Sequence, residues 1–262
     1  LDDLEVQRSQ KLGEFHGTLL NKVFDYLSST NNASFIFCPT VYCNRFADGK
    51  LEDSPYLKGL SDEVSPELSL LWTGRDVINK TITDKDIEEL KQVINNPIVI
   101  WDNYYANDYC QNRFFIGQYK GRSVRDRNIR GFGVNPTGLV ITDSIILEQV
   151  NGVSSTEEIL KKYGVPKEFF ELFPFFEGPF DTKADLKKLG NKDRINELFY
   201  SLCIEWKSDL QLEWAPFLWQ FFKDLNFYVR HMKGKNKKVL EDWAGQRYSA
   251  PLLKILFNER DN

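Results

Sequence analysis

The chain has 262 residues, room for one large domain or two ordinary ones, and 42% hydrophobic with 27% charged residues is the balance of a soluble globular protein, not a disordered one. Its 34 Lys and Arg against 38 Asp and Glu leave a net charge of −4, which gives neither nucleic acid nor an anionic membrane surface a reason to bind. No apolar run reaches the roughly 18 residues that a membrane-spanning helix needs. The short basic stretch Lys233 to Lys238 reads as a solvated turn.

In chain order, the opening Leu1-Asp2-Asp3 lacks an initiator Met and reads as the start of a fragment. Leu12, Phe15, Leu19, Val23, Phe24 and Leu27 then recur at helical spacing and predict a helix over 11–29. Phe35 to Cys38 is a short apolar strand stopped by Pro39, and Ser54-Pro55 opens a short helix. Leu68 to Gly74 is a second strand. Thr83 caps a helix running to Val93, with acidic residues in its first turn. Ile98 to Trp101 is a third strand and 129–134 a fourth. This alternation argues for parallel βα units. Polar residues cluster after the strands, at Thr40 and Tyr42, at Thr73, and at Asn103 and Asp108, and a parallel α/β barrel carries its active site at that end. Only about half a barrel is present, because a whole one takes roughly 250 residues and this texture ends near residue 150.

From about Ser154 the pattern changes. Ser155-Thr156-Glu157-Glu158 is a capping-box start, and residues 193–232 and 238–257 read as long amphipathic helices. The stripe with Trp206, Trp214 and Trp219 reads as core or as a helix-pairing surface. The expected fold is therefore α/β over residues 1–150, half of a (β/α)8, TIM-like barrel, followed by an all-helical stalk or bundle over 151–262. Cys38, Cys43, Cys110 and Cys203 read as free thiols of a reducing compartment. With only two histidines, neither near a cysteine pair, no metal site and no cofactor is expected.

The most informative run is Pro97-Ile-Val-Ile-Trp101-Asp102-Asn103 with Asp108 and Tyr109 close behind. Alternation puts Val99, Trp101 and Asn103 on one face and Ile98, Ile100 and Asp102 on the other. A ring beside an amide at a strand end, followed by a carboxylate and a phenol, suits the floor of a carbohydrate site: the aromatic plane packs a sugar face and the planar polar groups fix hydroxyls or an amide. Buried Trp and an Asn/Asp-rich turn are also common without any ligand.

Seven segments resemble the eukaryotic protein O-GlcNAcases of glycoside hydrolase family 84, in the family's order and spacing. They are Leu1-Asp2-Asp3-Leu4, Phe37 to Cys43, Ser54-Pro55-Tyr56-Leu57, Leu71-Trp72-Thr73-Gly74, Ile100 to Asn103, Ala106 to Tyr109 and Tyr119-Lys120-Gly121-Arg122. The resemblance implies removal of N-acetylglucosamine from Ser and Thr of nuclear and cytoplasmic proteins by the C-terminal half of a catalytic barrel followed by a helical stalk. It implies Asp2 and Asp3 as the catalytic pair, Tyr42, Asn103 and Asp108 as sugar and acetamido contacts, and Trp101 as a wall. Asp102 and Tyr109 complete the candidate set. It also implies that the absent N-terminal half of the barrel is needed and that a homodimer forms through the helices. Two departures stand out. The first half of the barrel does not precede the aspartates, and the family's asparagine a few residues beyond Asn-Pro is missing: Asn135-Pro136 is present, but the nearest counterpart is Asp143. A catalytically impaired, glycan-binding member is therefore the alternative reading.

Overall fold

The computed structural model describes residues 8–29, 34–47, 49–125, 129–180, 184–189, 191–231 and 237–248. Two compact units divide the chain. The first comprises Leu1–Asn103 and Lys120–Asn135, and the second Tyr104–Tyr119 and Pro136–Asn262. Residues 104–119 and 136–150 group with the later helices.

The first unit starts with α1 (Gln10–Ser28), whose N-terminus is capped by the Ser9 hydroxyl accepting from the Leu12 N–H at 3.3 Å. It packs on α2 (Pro55–Glu63) through glycines. A Cβ at Gly13 would stand 2.2 Å from the Tyr56 carbonyl oxygen, and one at Gly59 2.3 Å from that of Gln10, so only glycine allows this approach. The expected apolar face of α1 is accordingly divided. Leu12 and Phe24 pack on the core, whereas Phe15, Leu19 and Val23 are exposed among the described residues.

Four parallel strands follow the order β1 (Ile36–Phe37), β2 (Ser69–Trp72), β4 (Ile98–Asp102) and β6 (Gly131–Val134). A separate parallel pair, β3 (Ile82–Thr83) with β5 (Arg122–Ser123), escapes the sequence pattern because two-residue strands show no alternation. Between β3 and β4 lies α3 (Asp84–Lys91), headed by Thr83, whose N–H and hydroxyl both donate to the Asp86 carboxylate. Leu70, Trp72, Ile98 and Ile100 meet Tyr56, Leu57, Leu60, Ile87 and Leu90 in one buried cluster. At roughly 25 cal/mol per Å2 of apolar surface, such burial is what holds sheet to helix.

The second unit contains α4 (Val140–Asn151), α5 (Thr156–Lys162), α6 (Phe169–Leu172), α7 (Lys192–Phe199), a π-helical turn over Tyr200–Glu205, α8 (Asp209–His231) and α9 (Lys237–Tyr248). The capping box at Ser155 and Glu158 forms as expected. The helix expected without interruption over 193–232 is broken instead. Trp206 takes an extended ψ of 120°, and the Ser208 hydroxyl accepts from the Gln211 N–H at 3.0 Å to start α8. The break folds Trp206 back onto Trp214, edge to face at 5.7 Å. Trp214 also stacks near Phe114 and Phe169 in an aromatic core, while Trp219 is half exposed against Phe199. Residues 249–257 of the last expected helix lie outside the described residues.

All four cysteines are free thiols. Burial pushes Cys43 up to about 11 and Cys203 up to about 12, so both are inert as nucleophiles near neutrality. Among the described residues no group of three or more His, Cys, Asp or Glu is arranged for a metal ion, and no helix is long and apolar enough to cross a membrane.

Candidate functional site

The sheet of the first unit is all parallel, so its C-terminal ends share one rim. Backbone bonds lace that rim together. The Thr73 N–H donates to the Tyr42 carbonyl at 3.0 Å, Cys43 bridges to Gly74, and the Asn135 N–H extends the β4–β6 ladder by donating to the Asp102 carbonyl at 2.9 Å. Tyr42 follows β1, lies half-buried, and sets its ring edge-on to Phe46 at 5.0 Å. It lines a cavity of about 400 Å3 together with Arg8, Cys38, Pro39, Thr40 and Phe46.

The loop after β2 is shaped by one side chain. Asn79 Nδ2 donates to the carbonyls of Thr73 and Asp76, both at 2.7 Å, and its Oδ1 accepts from the Asp76 N–H at 2.9 Å. Gly74, at φ +118°, lies so close that a Cβ would be 3.0 Å from the Asn79 amide. This turn presents the Val77 carbonyl, which accepts from Asn103 Nδ2 at 2.8 Å.

At the end of β4 the three candidate neighbours have different fates. Trp101 is 37% exposed. Its ring lies over Gly133 of β6, where a Cβ would meet the indole Cε3 at 2.9 Å, so glycine leaves room for this ring position. Asn103 is buried, and its Oδ1 accepts from Asn135 Nδ2 at 3.0 Å. Asp102 points the other way and is fully buried. Both its oxygens are held by Arg122, at 2.5 Å from Nε and 2.7 Å from Nη2. The same guanidinium donates to the carbonyls of Asn79, Lys80 and Lys120. Asp102 thus anchors the strand end by a bidentate, charge-assisted pair.

Asp108 and Tyr109 belong to the second unit. Asp108 is exposed, with Oδ1 accepting from the Tyr109 N–H at 3.0 Å. The Tyr109 hydroxyl is buried, its ring stacks on Phe115 at 6.4 Å, and burial pushes its pKa well above the ordinary tyrosine value. Asp143 sits in α4 of that unit. Its carboxylate accepts from the Thr137 N–H and hydroxyl and from the Gly138 N–H, at 2.8, 2.7 and 3.1 Å, and so ties down the loop after Pro136. Asp2 and Asp3 lie outside the described residues.

The structure therefore brings Tyr42, Trp101, Asp102 and Asn103 to one rim, with Asp102 on the far side of the strand. The residues that hold this rim, Asn79, Arg122, Gly133 and Asn135, were not among the sequence candidates. Two of them carried a signal: Arg122 ends the Tyr119-to-Arg122 motif, and Asn135 is fixed in extended backbone by the proline after it.

A family model described as beta-N-acetylglucosaminidase matches residues 1–155. The chain is 40% identical over 120 residues to the protein O-GlcNAcases of Rattus norvegicus and of Mus musculus; the match spans 45% of this chain and 13% of each of those proteins. Among solved structures, a point mutant of the O-GlcNAc hydrolase of Thermobaculum terrenum shares the fold with a TM-score of 0.63 at 18% identity, covering 94% of this chain and 60% of that one. The chain spans about an eighth of the length of the mammalian relatives it matches. With more than half of its residues matched by the family model and the matched region carrying the laced rim, the chain belongs to the beta-N-acetylglucosaminidase family.

Proposed function

We propose that this chain is the C-terminal half of a (β/α)8 catalytic barrel with its helical stalk, and that it works as a β-N-acetylglucosaminidase on O-GlcNAc-modified proteins of the nucleus and cytoplasm. The observation that carries the reading is the end of β4. There an accessible indole and an amide held by two hydrogen bonds stand together on the rim of a parallel sheet, within the stretch the family model matches.

The chemistry follows from the substrate. The 2-acetamido carbonyl of N-acetylglucosamine attacks its own anomeric carbon to give an oxazoline, so no protein nucleophile is required. Asp2 orients and polarises the acetamido N–H. Asp3 protonates the departing Ser or Thr oxygen and then deprotonates the incoming water, which yields retention. The two carboxyls need separated pKa values, one ionised and one protonated at the working pH. Trp101 forms a wall, Tyr42 and Asn103 hold the acetamido group and hydroxyls, and the resemblance adds Asp108 as a further sugar contact. An N-terminal half-barrel completes the pocket, and the helical unit pairs two copies.

Hydrolysis of a fluorogenic β-N-acetylglucosaminide tests this, by the chain alone and with the preceding half-barrel supplied. Turnover is expected in the second case. Asp3→Ala should lower it about 10²–10⁴-fold, the usual contribution of a general acid, with circular dichroism unchanged. Absence of turnover in both cases, or full turnover by Asp3→Ala, would reject the assignment.

A further inference from the structure

We infer that Asn135 is a positioning residue: by donating to Asn103 it fixes which end of the Asn103 amide faces the site. The inference rests on the reading above that the β4 end binds N-acetylglucosaminides.

A carboxamide has two nearly isosteric ends with opposite hydrogen-bonding character, and a strand end by itself does not choose between them. Here two neighbours choose. The Val77 carbonyl can only accept, so the Asn103 nitrogen must lie on that side, at 2.8 Å. The oxygen then faces β6, where Asn135 Nδ2 donates to it at 3.0 Å. Each neighbour is itself held. Val77 belongs to the turn organised by Asn79, and the backbone of Asn135 is pinned at 2.9 Å to the Asp102 carbonyl and restricted to extended geometry by Pro136. Arg122 anchors the intervening Asp102. One Asn103 N–H and one lone pair of its oxygen are consumed by these bonds. The second N–H, in the plane of the same amide, is left with a fixed direction and suits a carbonyl or hydroxyl oxygen. Preorganisation of this kind removes the entropy of orienting the group when ligand arrives. Asn135 touches no reacting atom in this scheme; it acts through Asn103.

The decisive variant is Asn135→Asp in the full 262-residue chain. It keeps the shape of the side chain and removes the donor, so a space-filling role predicts a near-normal protein. A donor role predicts that the new carboxylate repels the Asn103 oxygen and attracts its nitrogen, turning the amide over. Two readouts apply. The first is the side-chain Nδ2 resonances of Asn103 in a 1H–15N spectrum, expected to shift strongly and exchange faster in Asn135→Asp and to move less in Asn135→Ala. The second is binding of methyl β-N-acetylglucosaminide with the preceding half-barrel supplied, expected to weaken about tenfold or more in Asn135→Asp and less in Asn135→Ala, the scale of one misdirected hydrogen bond. Unchanged Asn103 resonances in Asn135→Asp overturn the inference, as does a variant order in which Asn135→Ala is the worse. If the wild-type chain with the preceding half-barrel supplied does not bind the sugar while the resonances move as expected, Asn135 keeps its role and the sugar-site reading fails. If Asn135→Asp does not fold, Asn135→Ala decides by the same resonances, and an unperturbed Asn103 amide there rejects the inference.

Discussion

Asp102 lies on the face of β4 opposite Trp101 and Asn103, and there Arg122 takes both its oxygens. Both side chains are almost fully buried, at 1% and 8% exposure, so the pair is not screened by solvent. Removing one member of such a pair leaves an uncompensated buried charge, at a cost of about 3–5 kcal/mol. Arg122→Met is accordingly expected to destabilise the chain by about that amount in urea denaturation, and Arg122→Met with Asp102→Leu by clearly less. Equal losses in the single and double variants would show that the pair is not the source.

Between elements, a chain of bonds joins α1, α2 and the loop after β1. The Tyr56 hydroxyl of α2 lies 2.9 Å from His16 Nδ1 of α1, and it accepts from the Thr40 N–H at 3.1 Å, two residues before Tyr42. When the imidazole is neutral with its proton on Nε2, Nδ1 accepts the hydroxyl proton. Burial lowers the His16 pKa below its ordinary 6.5, in the same sense. A group whose folded pKa is depressed in this way binds fewer protons folded than unfolded, so stability is complete above about pH 6.5 and falls as the pH drops below it. His16→Gln should flatten that fall between about pH 6.5 and 5 in thermal melts. An unaltered slope would assign the acid sensitivity elsewhere. The glycine contacts between the two helices, with Gly13 and Gly59 each against backbone, explain why so few large side chains of α1 face the core.

Over the whole molecule, each compact unit has its own apolar cluster, one around Trp72, Ile98 and Ile100 and one around Trp214, Phe169 and Phe221. Trp214 is fully buried, touches Phe114, Phe169 and Trp206, and donates from Nε1 to the Thr142 hydroxyl at 2.9 Å. Trp214→Ala removes a large side chain and leaves Thr142 without this donor. A loss of about 3–5 kcal/mol is expected. Faster amide exchange at Leu218, Phe221 and Phe222 of α8 would report it, and unchanged protection there would contradict the packing argument.

What the sequence determined by itself was periodic or locally signalled. The helices at 10–28, 55–63 and 84–91, the strands at 69–72 and 98–102, and the Ser155 capping box all announce themselves through spacing, caps and breakers, because those forces act within a few residues. The family was legible for a related reason: its motifs sit at strand ends, and Trp101, Asn103 and Tyr42 come with them. Tertiary structure alone decided the rest. Nothing near Asp102 in the chain reveals that Arg122, twenty residues on, neutralises it, or that Val77 and Asn135 between them orient Asn103. The pairing of β3 with β5, Ile82 beside Arg122, is likewise set by residues far apart in the chain. Hydrogen-bond partners and buried counter-ions are chosen by proximity in space, and proximity between strands is fixed only when the sheet has formed.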